Sequence, residues 1–127
     1  PNCLHNTAWG KAYLASLPED RAVAKIASLD LVGRTAQTIT DRDRLLAEIR
    51  QAKARGYAMS AEEYLPGLLA IGAALRNPFN GSGVGAVSFD FSVLQQNLSK
   101  IEATYAGLIQ ETARKLSALL PPEGRQH

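Results

Sequence analysis

The sequence predicts an α+β domain: a sheet of antiparallel strands with helices packed on at least one face. Three observations lead there. "TDRDRLLAEIRQAKARG" and the stretch from Ser92 to Leu119 place apolar residues at steps of three and four, the period of a helix. Between them that period is lost, and "LLAIGAAL" and "GVGAVSFDF" are apolar runs with β-branched and aromatic residues. The loop "NPFNGSG" between those runs makes them antiparallel neighbours, and such a pair needs helices to cover it.

Taken in order, "TAWGKAYLASL" reads as a short helix. Thr7 caps it, and Ala8, Lys11, Ala12 and Ala15 follow at helical spacing. Gly10 inside it costs about 1 kcal/mol of propensity, which a close contact with backbone or ligand would offset; a plain bend is the alternative. "LPEDRAVAKIASL" is a second helix, with Pro18 in its first turn and Glu19 and Asp20 at its positive end. Val23, Ile26 and Ala27 line one face. "RTAQTIT" is expected to be extended. In the third helix Thr40 is the expected N-cap, with Asp43 at capping-box distance. Leu45, Leu46, Ile49, Ala52 and Lys53 form its inner stripe, Arg44 and Glu48 are spaced to pair, and Gly56 is placed to end it in a left-handed cap.

Strands follow at Tyr57–Met59, Leu68–Leu75 and 83–91. The last helix is expected to start at Ser92, with Gln95 at the capping-box position and Leu94, Leu98, Ile101, Tyr105, Leu108, Thr112, Leu116 and Leu119 on one face. It should stop before Pro121 and Pro122 and run for roughly 40 Å. Two or three strands are few for this much apolar helix surface, and the chain opens on Pro1 rather than Met. Both point to a piece of something larger.

Composition narrows the function. At 127 residues and 46% hydrophobic, the chain is long enough for one domain with a real core. A formal net charge of +2 gives little reason to invoke nucleic acid or an anionic membrane as a direct partner. Arg42, Arg44, Arg50, Lys53 and Arg55 are interleaved with Asp43 and Glu48, as on a solvated helix face. One cysteine, Cys3, excludes an internal disulfide, and no apolar run reaches the length of a membrane span.

No metal site or cofactor is expected. Cys3 and His5 are close in sequence, but His127 stands alone at the tail, and HExxH and CxxC are absent. His5 reads as a packing or hydrogen-bonding residue. "GSGVG" lacks the Lys-Ser/Thr ending of a phosphate loop. Glu62 and Glu63 are adjacent, so an extended backbone sends them to opposite sides, which is unsuited to a catalytic acid/base pair. Gly67, Ala70, Gly72, Ala73 and Ala74 leave room beside the sheet, and Trp9 can wall or fill it. That room is either plain core or an effector pocket.

The order of these motifs resembles the ligand-sensing domain of IclR-type transcriptional regulators. The resemblance is carried by "LHNTAWGKAYLASLPED", by "RTAQTITDRDRLLAEIRQAKARGYAMSAEEYLPGLLAIGAAL", and by "GVGAVSFDF" with its following helix. It covers nearly all of the chain. It implies a curved antiparallel sheet flanked by helices, of a GAF-like kind, with the N-terminal strands missing. Residues 1–127 would be the later two-thirds of an effector-binding domain, lacking the winged helix-turn-helix that binds DNA.

The resemblance further implies a cytoplasmic regulator that forms a homodimer or tetramer, binds a small-molecule effector and reaches DNA only through the absent domain. Its ligand pocket would be lined by Ala8 and Trp9 at the start of the first helix, by Ser60 where relatives carry an acid, and by Leu68 and Ala70. Ser60-Ala61 stands where the family pattern has Asp-Asp, Ala70 where it is often polar or Cys, and Trp9 where it has a smaller residue. A less polar pocket follows, suited to an aromatic or apolar organic acid. The alternatives are a small α+β enzyme using Glu62 or Glu63, and a purely structural dimerisation domain.

Overall fold

The computed structural model describes residues 3–121. Four helices and three strands follow in the order α1 (Ala8–Ala15), α2 (Glu19–Ser28), α3 (Arg42–Arg55), β1 (Ala58–Ala61), β2 (Leu68–Arg76), β3 (Gly83–Ser92) and α4 (Leu98–Ala118). The strands form one antiparallel sheet in the order β1-β2-β3. Alternation along β2 builds a three-layer sandwich. Leu69, Ile71 and Ala73 face α4 and pack with Ile101, Ile109 and Ala113, while Ala58 of β1 joins the opposite core of Ala12, Leu14, Ala15, Leu45 and Ile49 from α1 and α3. Tyr105 of α4 stacks on the sheet, 4.8 Å from Phe91 and 6.0 Å from Phe89 between ring centroids.

The curved, GAF-like sheet expected from the sequence is not formed. Three strands make a small, open sheet with β1 and β3 as its edges. Strong curvature comes from bulges placed along the strands. Here the β2–β3 register runs unbroken from Leu68 to Leu75 and shifts only between Leu75 and Arg76.

Local chemistry explains most element boundaries. Thr7 accepts from Gly10 N at 3.1 Å and caps α1 as expected. A Cβ on Gly10 would fall 2.5 Å from Cys3 O and Leu4 Cα, so the glycine serves close backbone packing. Pro18 sits at the N-cap of α2, one place earlier than expected. Asp41, not Thr40, caps α3, accepting from Asp43 N at 3.0 Å. Gly56 ends that helix at φ 93°.

"RTAQTIT" is no strand. Arg34 N and Thr35 N both donate to Thr38 Oγ1, which folds the segment into a turn. The cap of helix α4 falls five residues later than the sequence suggests. Gln95 N and Gln96 N close a turn on Ser92 O, Leu94 stays 90% exposed, and Asn97 supplies the true cap through Lys100 N at 2.9 Å. Its 21 residues span about 31 Å rather than 40. It ends before Pro121; Pro122 lies outside the described residues.

Candidate functional site

The site is built by one close approach. A Cβ on Gly72 of β2 would lie 2.9 Å from the carbonyl carbon and oxygen of Ala8 and 3.1 Å from Trp9 N. Only glycine lets the first turn of α1 rest directly on the sheet there. Two residues earlier on β2, the same face carries Ala70 and then Leu68. Register places Ser60 of β1 and Asp90 of β3 on either side of Ala70, so Ser60, Ala70 and Asp90 form one row across three strands.

A cavity of about 170 Å³ opens between this floor and the start of α1. It is lined by Ala8, Trp9, Ser60, Leu68 and Ala70, the five residues singled out in the sequence, brought together from three elements. It is also lined by Asn6, Tyr64 and Asp90, which sequence reasoning missed. A strand and a loop separate Asp90 from Ala70 in sequence, and only the β2–β3 register joins them.

Most polar groups of the wall are already engaged. Ser60 Oγ donates to Asn6 O at 2.9 Å, and Thr7 Oγ1 donates to Cys3 O at 2.5 Å. Trp9 is 40% exposed and stands as a wall rather than filling the space. Arg34 stacks 4.3 Å over the Tyr64 ring and donates through Nε to Tyr64 O, which holds that ring's backbone. Asn6 is the exception. It is fully buried, and neither its amide nitrogen nor its amide oxygen has a hydrogen-bond partner among the described residues. Asp90 carries the one charge in the lining; it accepts from Ser88 Oγ at 3.2 Å.

The two glutamates do other work. Glu62 sits at φ 56°, unusual for a residue with a side chain. Its amide donates to Leu68 O and its Oε1 accepts from Gly67 N at 2.9 Å, closing the 62–67 turn that delivers Leu68 to the floor. Glu63 is buried against Lys11, its Oε1 2.7 Å from Lys11 Nζ. Burial pushes its carboxyl above the ordinary value, against the pull of Lys11 and of Ala61 N–H. Thr35 and Thr38 donate to the carbonyls of Glu62 and Glu63, each at 2.6 Å.

Lys11 itself is wholly buried. It donates to Glu48 Oε2 and, at 3.1 Å, to Met59 O, so Glu48 turns to Lys11 instead of pairing with Arg44. These carboxylates frame the site; neither lines the cavity. His5 is buried with Nε2 3.0 Å from Val32 O, a packing role. His127 lies outside the described residues. Among the described residues no cluster of His, Cys, Asp and Glu could hold a metal ion, and no helix is long and apolar enough to cross a membrane.

Residues 2–118 match the family described as "Bacterial transcriptional regulator IclR C-terminal". The chain is 36% identical over 115 residues to the HTH-type transcriptional regulator Rv1719 of Mycobacterium tuberculosis, and 33% identical over 118 residues to the HTH-type transcriptional repressor AllR of Escherichia coli. Those matches cover 91% and 92% of this chain but 42% of each relative, so the chain spans under half their length. Among solved structures, the IclR of Thermotoga maritima superposes with a TM-score of 0.82 at 31% identity, over 91% of this chain and 46% of that one. The inducer-binding domain of PobR from Acinetobacter, a double mutant solved with 3-hydroxybenzoic acid, gives 0.82 at 25% identity, over 92% and 66%.

Proposed function

Since this chain belongs to the C-terminal domain family of IclR-type bacterial transcriptional regulators, we propose that it senses a small aromatic or apolar organic acid in the cavity under α1. The observation that carries this reading is the convergence of Ala8, Trp9, Ser60, Leu68 and Ala70 on that one cavity. Ala8, Trp9, Leu68 and Ala70 give the cavity apolar surface beside a few polar groups, and the space suits a small ligand. The first-turn amides of a helix have no acceptor within it and carry positive potential, which suits a carboxylate. Thr7 meets only one of those amides in α1, that of Gly10. Asn6 leaves a buried amide unpaired at a cost of about 1–3 kcal/mol per group, and the adjoining cavity is where a partner can come from. The acid bound by PobR agrees with this class.

In this reading residues 1–127 are the later part of an effector-binding domain in a longer regulator. The regulator forms a homodimer or tetramer, and a separate winged helix-turn-helix contacts DNA. A ligand that fits one arrangement of the subunits better than another shifts the population between them, and with it the spacing of the DNA-binding modules. The chemistry is coupling rather than catalysis.

The test is a calorimetric and thermal-shift panel on the 127-residue chain with benzoate, phenylacetate, pyruvate and glyoxylate. At a hundredfold excess over Kd, a true ligand adds about 2.7 kcal/mol of stability. The aromatic acids are expected to bind. Binding by pyruvate or glyoxylate alone would overturn the ligand class, and binding by none would favour a structural dimerisation role.

A further inference from the structure

Asp90 carries a consequence for what the cavity admits. It is exposed on the edge strand β3, pairs with no cation among the described residues, and is the one charged side chain in the lining. It also borders a shallow open surface lined by Glu62, Leu65, Pro66, Leu68 and Val93. The start of α1 rests over Gly72, opposite Ser88, while Asp90 lies opposite Ala70. With about 3.4 Å per residue along a strand and about 4.8 Å between strands, the Cα atoms of Gly72 and Asp90 are about 8 Å apart. The helix start and Asp90 therefore stand at separate ends of the floor, and a small ring between them can turn one substituent to each. The helix end suits a carboxylate, whereas Asp90 accepts hydrogen bonds and repels a second negative charge.

We propose that Asp90 reads a hydrogen-bond donor on the far end of the ligand, so that the site selects hydroxy- or amino-substituted monocarboxylic acids and rejects dicarboxylic acids. The inference rests on the acid-sensing reading given above. Asp90 is a specificity residue here, and Ser88 a positioning residue that holds one of its oxygens.

The experiment is calorimetry on the 127-residue chain with four probes of one shape: benzoate, 4-hydroxybenzoate, 4-(aminomethyl)benzoate and terephthalate. The hydroxy and aminomethyl acids are expected to bind about tenfold or more tighter than benzoate, and terephthalate about tenfold weaker, in line with a charge-assisted hydrogen bond and a like-charge contact. Asp90→Asn should remove most of the aminomethyl advantage and relieve the penalty on terephthalate. Asp90→Ser serves as a second neutral variant, with circular dichroism confirming that each variant is folded. If benzoate binds and all four probes bind alike, or if both variants leave the order unchanged, the role of Asp90 is overturned while the acid-sensing reading stands. If no probe binds, both fall.

Discussion

Lys11→Met tests the buried ion cluster that fixes α1 over the sheet. The ammonium of Lys11 is wholly buried and meets Glu48 of α3, Glu63 after β1 and the Met59 carbonyl of β1. One side chain thereby ties α1 to two other elements and to the loop that follows β1. Methionine keeps much of the volume and removes the charge. Glu63 is then a buried carboxylate without its cation, and Met59 O loses a donor. Removing one partner of a buried pair costs about 3–5 kcal/mol. Glu48 is partly exposed and regains water, so the lower end of that range is expected. Against a typical domain stability of about 5–15 kcal/mol, the loss is large.

The deficit should also depend on pH. Burial already holds the Glu63 carboxyl above the ordinary value of 4.5, and Lys11 is the main influence pulling it down. Without Lys11 the folded-state pKa climbs further. A carboxyl raised in the folded state contributes fully below its unfolded pKa, and that contribution is lost as pH rises through the folded pKa. The variant's deficit is therefore smallest below the ordinary value of 4.5 and grows toward neutrality. Urea unfolding followed by circular dichroism at several pH values measures it. Lys11→Met/Glu63→Gln should recover part of the loss at neutral pH, because no buried charge is then left alone. A deficit under about 1 kcal/mol, or one constant with pH, would refute the role given to the cluster.

Three further outcomes are expected. Gly72→Ala drives a methyl into the Ala8 carbonyl, so it should lower stability by about 1–3 kcal/mol in thermal melts and weaken any ligand bound under α1. Tyr57→Phe removes the 2.5 Å hydrogen bond from the phenol to Glu102, which links the start of β1 to α4; urea unfolding should show a loss of about 1 kcal/mol. Trp9→Ala removes a half-exposed wall, so the melting temperature should change little while the affinity for aromatic acids, read by calorimetry, falls about tenfold.

The sequence showed what is local. Leu45, Ile49 and Ala52 announced the buried face of α3, and "LLAIGAAL", "NPFNGSG" and "GVGAVSFDF" announced the β2–β3 hairpin, because period and turn chemistry act over a few residues. The start of α4 was misread for the same reason. Ser92 and Gln95 have the spacing of a capping box, but Ser92 closes a turn through its own carbonyl, and Asn97 takes the cap. The Lys11–Glu63 pair joins residues far apart in the chain, yet it left a trace. A lysine on the small, apolar face of Ala8, Ala12 and Ala15 has to find a buried acceptor, and Glu63 is the acid that the fold delivers. Asn6 left none, since nothing in its neighbourhood distinguishes a buried amide from an exposed one.

The cross-strand row Ser60–Ala70–Asp90 changes how the polarity of the cavity is understood. Taken alone, Ser60 and Ala70 describe a wall stripped of the acid that the family resemblance places at Ser60. Read across the strands, an acid is present, two strands away on β3. Ser60 is buried and gives its hydroxyl to the Asn6 carbonyl, so a carboxylate there would face an acceptor in place of its donor. Asp90 meets no such conflict, because it stands at the exposed edge with Ser88 as a donor. Direct neighbours across a sheet lie about 4.5–5.5 Å apart, so moving the charge across the row shifts it by about 10 Å, most of the width of the floor. The Ser60 end is then uncharged, with Ser60 and the unpaired Asn6 amide as its polar groups, while the Asp90 end is acidic. Under the acid-sensing reading proposed above, a ligand would lay its ring beside Ala70 and keep a donor at the Asp90 end, the arrangement that the Asp90 variants test.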